Sequence, residues 1–334
     1  MVRVTAGARL HFGFCNLSLS HGRLYGGVGL AVDEPLTTVT AERAEGVACE
    51  DPDAREYAAR AVDLLDVPGA AVRVERSLPR HAGLGSGTQL ALSTLVAVAR
   101  AYGRDPATRA RAPDLGRGGR SGVGVATFES GGFVVDAGHP TARFTTDPPA
   151  PGGWTVPPVA TRLGVPDEWR FLVIVPEAAP GRSDRAEDES MRAVVERADP
   201  DVSDRIAGVL VRRALPAVAE GSARRFGAAV EEIGRLNGAW YADEQGGVYR
   251  PPVGDLVAEL SESSAVFGAG QSSWGPTVYG VTDAEAAADA VAAGREALAA
   301  ADVEGEVRTA RARNRGAVVD DGAGREAVER PHNA

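Results

Sequence analysis

The stretch His81-Ala82-Gly83-Leu84-Gly85-Ser86-Gly87-Thr88-Gln89 constrains the fold more than any other part of this chain. It is a glycine-rich turn that opens onto an apolar helical run, Leu90 to Tyr102, and a strand-like run, Ala71 to Arg76, leads into it. Glycine lets the backbone approach a ligand closely and take dihedrals closed to other residues. The first amides of the following helix lack intrahelical partners, and the helix dipole favours negative charge beside them. Such a turn is a phosphate seat, formed here by Gly83, Leu84, Gly85, Ser86, Gly87 and Thr88. A plain strand-to-helix connector is the alternative. Three glycines at alternate positions, with Ser and Thr beside them, favour the phosphate reading.

Around this turn the pattern is mixed. Val2 to Phe14 alternates as a strand, and a second glycine cluster, Gly22 to Gly29, reads as a loop before strands at Leu30 to Val32 and Thr37 to Ala41. Asp51-Pro52 supplies an N-cap and a first-turn proline for a helix over Asp53 to Leu65. A basic loop, Arg104 to Arg120, and Ser121-Gly122-Val123-Gly124-Val125 precede a strand at Gly132 to Val135. Residues 145–168 carry Pro148, Pro149, Pro151, Pro157, Pro158 and Pro166, which mark a linker and a domain boundary. The second half reads as a strand at Phe171 to Val175 and a charged loop, Gly181 to Glu189. Amphipathic helices follow, carrying Ile206, Val209, Leu210 and Ala214, then Phe226, Val230 and Ile233. A strand at Thr277 to Val281 leads to a helix ending at Ala300, with Thr282 and Glu285 as its capping box, and to a last strand, Val303 to Arg313. The polar tail beyond Asn314 reads as frayed. Without regular βαβ alternation, the fold class is α+β.

The chain has 334 residues, enough for two domains. All 36 of its basic residues are arginine, and the net charge is -10. The acidity argues against a nucleic-acid partner, since phosphates would be repelled. The lack of lysine excludes Schiff-base chemistry, pyridoxal phosphate anchoring and the lysine-bearing phosphate loop. The Ala-, Gly- and Arg-rich composition fits a GC-rich genome and, with the acidity, a salt-loving host. No apolar run reaches membrane-span length and no secretory segment opens the chain, so the expectation is a cytoplasmic protein with no membrane partner. Cys15 and Cys49 have no metal-ligand spacing and read as small apolar fillers.

Three blocks in one order resemble the signatures of the GHMP kinase superfamily: Ala8-Arg9-Leu10-His11-Phe12-Gly13, Gly83-Leu84-Gly85-Ser86-Gly87 and Gly268-Ala269-Gly270-Gln271-Ser272-Ser273. The resemblance implies a GHMP-kinase-like two-domain fold. Residues 1–160 would form the N-terminal domain with the phosphate loop, 161–315 a ferredoxin-like C-terminal domain, and 316–334 a flexible tail. Ligand would sit in the cleft between the domains. The kinases' Ser-Gly-Val-Asp block reads Ser121-Gly122-Val123-Gly124 here, so their catalytic Asp is missing. Gly87 stands where their magnesium-binding serine does, with Thr88 one position on, and their N-terminal lysine is also absent. These losses weigh against phosphoryl transfer.

The local wording instead is similar to a non-kinase branch, the β-ribofuranosylaminobenzene 5′-phosphate synthases. The similarity rests on Gly22-Arg23-Leu24-Tyr25-Gly26-Gly27-Val28-Gly29, Gly116-Arg117-Gly118-Gly119-Arg120-Ser121-Gly122 and Gln271-Ser272-Ser273-Trp274-Gly275-Pro276, besides the blocks above. That branch implies a decarboxylating joining of phosphoribosyl pyrophosphate to 4-hydroxybenzoate or 4-aminobenzoate in methanopterin-type cofactor biosynthesis. It also implies Mg²⁺ and a homodimer. Such chemistry needs a pyrophosphate seat, a cation for the benzoate carboxylate and no protein nucleophile.

On this reading Arg117 and Arg120 bind phosphate, or else face solvent. Arg9 and His11 share a strand face, and His11 polarises the ring substituent or is a hydrogen-bonded core histidine. Gly268, Ala269, Gly270, Gln271, Ser272 and Ser273 close the cleft, and Arg23, Tyr25, Gly26 and Gly27 form a substrate loop. Trp274 and Tyr25 stack on the aromatic substrate or pack internally. Glu129 and Asp136 read as structural rather than as metal or base residues, and no metal ligand is assigned. A small-molecule kinase and a non-catalytic phosphate-binding module remain as alternatives.

Overall fold

Alternating apolar residues in the first strand and β-branched residues in the second build one long antiparallel hairpin, the spine of the molecule. In the computed structural model, which describes residues 1–144, 152–178, 184–322 and 324–328, β1 (Val2–Asn16) pairs with β2 (Arg23–Arg43) along nearly its whole length. Then come β3 (Gly46–Ala48), α1 (Pro52–Leu65), β4 (Gly69–Arg76), α2 (Ser86–Ala101), α3 (Thr108–Arg111), α4 (Val123–Ser130), β5 (Phe133–Asp136), β6 (His139–Pro140) and β7 (Val159–Leu163). The second half holds β8 (Trp169–Pro176), α5 (Asp184–Arg197), α6 (Pro200–Val209), α7 (Leu215–Ala219), α8 (Ala223–Gln245) and α9 (Val253–Ser261). It ends with β9 (Ala269–Gln271), β10 (Val278–Asp283), α10 (Ala287–Ala300), β11 (Gly305–Arg311), β12 (Val318–Asp320) and β13 (Arg325–Ala327).

The first sheet runs β13-β12-β1-β2-β4-β3, with β5 on the other half of β2 and β7 on β5. The second is an antiparallel sheet in the order β11-β8-β10-β9, against which α10 and α8 pack, the ferredoxin-like arrangement. One core joins the two halves: Phe12 and Phe133 of the first sheet meet Phe226 of α8, and Phe12 also meets Tyr279 of β10, with ring centroids 4.9 to 5.8 Å apart. Each such fully buried Phe contributes about 1.5–3 kcal/mol. The halves therefore hold a fixed relation at the site they share.

Several local expectations change. Arg23 to Gly29 of this cluster belongs to β2 rather than to a loop, with β1 paired on one side and β6 and β5 on the other. The Arg104–Arg120 segment contains α3 and a short 3₁₀ turn, and Val123 begins α4. α5 starts at Asp184, inside the expected charged loop. Asp51 does cap α1, accepting from the amide of Ala54. The lead-in to α10 is held by Asp283, whose carboxylate accepts from the amides of Glu285 and Ala286, whereas the Thr282 hydroxyl donates to the carbonyl of Ala265. The first sheet extends to Leu163 through β7. The tail is not frayed where it is described: β12 pairs with β1, and Ala317, Val319 and Val328 are buried. Pro148, Pro149, Pro151, residues 181–183 and residues 329–334 lie outside the described residues.

Candidate active site

Helix α2 begins without a side-chain cap. Its N-cap is Gly85, held left-handed at φ 82°, so the amides of Ser86, Gly87 and Thr88 have no intrahelical partner and face the turn. Gly83 is also left-handed, at φ 87°, and a Cβ there would lie 2.1 Å from the carbonyl oxygen of Ser272. A Cβ on Gly87 would lie 2.9 Å from Nη1 of Arg117, so that guanidinium stands over the first turn of α2. Arg117 also lies over the Tyr57 ring, 5.2 Å from its centroid, and hydrogen-bonds the Tyr57 hydroxyl. The structure thus sets the Arg117 guanidinium against the turn that the sequence reads as a phosphate seat.

The free edge of β1 ties this seat to the late glycine motif. The amide of Arg9 donates to the Leu84 carbonyl at 3.0 Å, and Nη1 of Arg9 donates to the Gly83 carbonyl at 2.7 Å. The amide of His11 donates to Oγ of Ser272 at 3.1 Å, and that hydroxyl donates to the Gly83 carbonyl at 2.7 Å. Ser273 returns an amide to the His11 carbonyl at 3.1 Å. Further along, the Phe14 amide donates to Oδ1 of Asn237 at 2.7 Å, and Nδ2 of Asn237 donates back to the Phe14 carbonyl at 3.0 Å. The edges of Arg9, His11 and Phe14 are thus met by three different segments, the turn before α2, Ser272–Ser273 and Asn237. Arg9, His11, the phosphate turn and Ser272–Ser273 form one constellation, as their sequence order suggests.

His11 is 3% exposed and begins a hydrogen-bonded chain. Its Nε2 lies 3.3 Å from Oγ of Ser121, which donates to Oδ2 of Asp136 at 3.1 Å. Oγ of Ser121 also accepts the amide of Val123 at 3.2 Å. A hydroxyl has one proton, and Asp136 takes it, so Nε2 of His11 is the donor to Ser121 and Nδ1 is left as an acceptor. Burial, reinforced by the Arg9 charge, holds the His11 pKa well below 6.5, so the ring is neutral near pH 7. Burial raises the Asp136 pKa, while the amides of Gly138, Gly27 and Gly122 and the Ser121 hydroxyl oppose the rise. Gly27 is the residue that admits this chain: a Cβ there would stand 2.1 Å from Oγ of Ser121.

The remaining candidates separate. Arg23 hydrogen-bonds the carbonyls of Ala137 and Gly138, and Tyr25 and Gly26 are left-handed positions within β2. Arg120 hydrogen-bonds Tyr25, whose hydroxyl burial nonetheless pushes to a raised pKa. Gly268 and Gly270 pack close to Gly227 and Tyr279, and Ala269 is buried in β9 and donates its amide to Glu231. Glu129 is buried in an ion pair with Arg109 at 2.9 Å, a structural role as expected. Asp136 is joined to His11 through Ser121 and also accepts from the amides of Gly122 and Gly138. Gly124 lies where the kinases have Asp, and a Cβ there would be 3.2 Å from Cγ2 of Thr88. Asn237 belongs to no sequence motif; an Asn in mid-helix, a poor helix former facing the core, is the one signal of its role.

Residues 54–132 match the family model described as GHMP kinases N terminal domain, and residues 214–300 the one described as GHMP kinases C terminal. A protein of Methanothermobacter thermautotrophicus named beta-ribofuranosylphenol 5′-phosphate synthase is 35% identical over 292 residues, covering 83% of this chain and 87% of its own length. The chain belongs to the beta-ribofuranosylphenol 5′-phosphate synthase family. A like-named protein of Archaeoglobus fulgidus is 33% identical over 291 residues, covering 86% of this chain and 89% of its own. Among solved structures, homoserine kinase from Cytophaga hutchinsonii superposes with a TM-score of 0.64 at 17% identity, over 96% of this chain and 97% of the other. Mevalonate kinase of Methanococcus jannaschii gives 0.64 at 14%, over 94% and 98%. These two show the fold.

Membership in the beta-ribofuranosylphenol 5′-phosphate synthase family makes the chain an enzyme of pentosyl transfer within the GHMP kinase fold. Among the described residues no group of three or more His, Cys, Asp or Glu side chains is placed to hold a metal ion. The seat of this synthase-family chain offers hydroxyls at Ser86 and Thr88, and its residues do not make a cation cage of their own. Among the described residues no helix is long and apolar enough to cross a membrane.

Proposed function

We propose that the chain transfers ribosyl 5-phosphate from phosphoribosyl pyrophosphate to 4-hydroxybenzoate, releasing pyrophosphate and carbon dioxide. The product in the relatives' name is a phenol, which favours the hydroxy over the amino acid as acceptor. The observation that carries the reading is an anion seat on α2 beside a neutral, acceptor-bearing His11, with glycine where the kinases have their base.

The ring carbon bearing the carboxylate attacks ribose C1, and the C1–O bond to pyrophosphate breaks with its electron pair leaving on pyrophosphate. The C–CO₂ bond then breaks, and its pair restores the aromatic ring. The amides of Ser86, Gly87 and Thr88, with Arg117 above them, stabilise the charge that grows on the leaving oxygen, a preorganised electrostatic effect. Nδ1 of His11 takes the phenolic proton as the ring donates electrons and returns it as the ring recovers. Mg²⁺ would neutralise charge on the pyrophosphate; it commonly binds through substrate phosphates with few protein ligands, and the Ser86 and Thr88 hydroxyls are the groups of the seat that would help to hold it. We infer from the family resemblance that the product serves methanopterin-type cofactor synthesis.

The test is incubation with Mg²⁺, phosphoribosyl pyrophosphate and carboxyl-labelled 4-hydroxybenzoate in high salt. Labelled carbon dioxide with stoichiometric pyrophosphate is expected. No labelled gas, with ADP formed from ATP and an alcohol, overturns the reading.

A further inference from the structure

A cleft runs along the edge of β1 at His11–Phe14, between α8 and the Gln271–Trp274 segment. Five aromatic residues line it, Phe12, Phe14, Tyr241, Tyr249 and Trp274, and none of its lining residues is Arg, Asp or Glu. Trp274 and Tyr241 pack edge to face, their centroids 4.4 Å apart, which holds both rings in place. Gly13, Gly234 and Gly238 leave part of the wall bare of side chains.

Several polar groups in this wall are already committed to the protein. Asn237 donates twice, to the carbonyls of Phe14 and Ile233, and accepts from the Phe14 amide. Gln271 accepts from the Arg250 amide and donates to the Ser273 carbonyl. The Tyr241 hydroxyl contacts the Met191 sulfur, and burial keeps the Tyr249 hydroxyl neutral by pushing its pKa to about 12. His11 differs: it lines the cleft with Nε2 turned to Ser121, leaving Nδ1 as an acceptor. The His11 amide and the Gly83 carbonyl of the anion seat share one bridging hydroxyl, that of Ser272. An occupant of the cleft would therefore adjoin a pyrophosphate in the seat.

We propose that this cleft seats the aromatic ring of the acceptor acid, between the Trp274–Tyr241 pair and His11, with its carboxylate facing no cation. The inference rests on the proposed function and adds a site and a selection rule to it. The family's chemistry leads one to expect a cation that holds the benzoate carboxylate. Arg250 donates from Nη1 to the Trp274 carbonyl at 3.3 Å and is not among the residues that line the cleft; Arg9 acts on His11 through its charge and does not line the cleft either. A carboxylate among uncharged lining residues loses hydration without gaining a contacting counter-ion. Its departure as neutral carbon dioxide removes that penalty, so the cleft favours the decarboxylating step over tight ground-state binding. Tyr25, the other candidate for stacking, does not line this cleft; its ring meets Phe14 and His139.

Two measurements test this. First, steady-state kinetics of Trp274→Leu and Tyr241→Leu are compared with wild type, with each substrate varied in turn. For Trp274→Leu the Michaelis constant for the acceptor acid is expected to rise at least tenfold, while that for phosphoribosyl pyrophosphate stays within twofold. Second, the wild-type protein is titrated by calorimetry with 4-hydroxybenzoate and with 4-hydroxybenzamide, each with pyrophosphate present. The neutral amide is expected to bind at least as tightly as the acid. Carbon dioxide release with unchanged Michaelis constants in the variants overturns the inference alone, as does amide binding a hundredfold weaker than the acid, which would reveal a cation partner. No carbon dioxide release from the wild type overturns the proposed function, and the inference with it.

Discussion

Replacing Ser121 with Ala tests the chain that sets the protonation of His11. In the native site Oγ of Ser121 serves three partners: it accepts from Nε2 of His11 and the Val123 amide and donates to Asp136, at 3.1 to 3.3 Å. Ser121→Ala leaves the buried Nε2–H without a partner, which costs about 1–3 kcal/mol. Asp136 loses one donor but keeps the amides of Gly122 at 2.7 Å and Gly138 at 2.9 Å, so it adds only part of a hydrogen bond to that cost. A net destabilisation of about 2–4 kcal/mol is expected, measured by urea unfolding. The kinetic effect has a separate origin. Without Oγ the proton is no longer held on Nε2, and the Nδ1–H tautomer removes the acceptor from the cleft. Loss of such a supporting partner lowers activity about 10- to 100-fold. The fall should appear in kcat for labelled carbon dioxide release, with the Michaelis constant for phosphoribosyl pyrophosphate within twofold, because the anion seat is untouched. Wild-type kcat in a variant that is clearly less stable would refute the tautomer argument. Wild-type stability and wild-type kcat together would refute the chain itself.

Gly83→Ala places a methyl 2.1 Å from the Ser272 carbonyl at a left-handed position, so it should part the turn from the cleft segment and weaken phosphoribosyl pyrophosphate binding at least tenfold in a binding titration. The pH dependence of kcat should show no loss as pH falls through 6.5, since the His11 pKa is held well below that value; an acid limb at 6.5 would contradict the burial argument. In stability the same depression means the unfolded chain takes up a proton below pH 6.5 that the native chain refuses, so His11 lowers stability as pH falls through this window. Asp136, raised above 3.8, acts oppositely: its stabilisation is present below 3.8 and is lost as pH rises through its folded pKa, so His11→Gln should flatten the acid side of a Tm–pH curve. Truncation after Asn314 removes the buried Ala317, Val319 and Val328 and bares the outer edge of β1, so a loss of at least about 3 kcal/mol is expected by urea unfolding; an unchanged midpoint would mean the tail contributes nothing.

Which of these features are legible in the sequence follows from how local their causes are. The α2 seat is legible because its cause lies within a few residues: left-handed Gly83 and Gly85, then orphan amides, then an apolar helix face. The N-cap at Asp51 is equally local, and the structure has it where the sequence places it. Gly27 is visible as one of several glycines, but its reason lies 94 positions away in the Oγ of Ser121, which no period or turn rule reports. The Gly22–Gly29 segment looks like a loop for the same reason. Glycines placed for close approach inside a strand carry the same letters as glycines placed for a turn, and only the partners on both sides of β2 separate them. Asp136 reads as structural because a lone carboxylate after a strand is usually that; its link to His11 depends on Ser121, which reaches back from just before α4. Asn237 shows the general difficulty most plainly. Its amide completes the edge of β1 that His11 stands on, across 223 positions of chain. In sequence it is one polar residue on a helix whose inward face is otherwise apolar. A buried mid-helix Asn must be bonded to some distant backbone, because leaving its amide unpaired would cost more than the helix gains by keeping it. Seen so, the anomaly on α8 and the irregular register of β1 at His11–Gly13 are two views of a single contact, and that contact fixes where the candidate acceptor nitrogen stands.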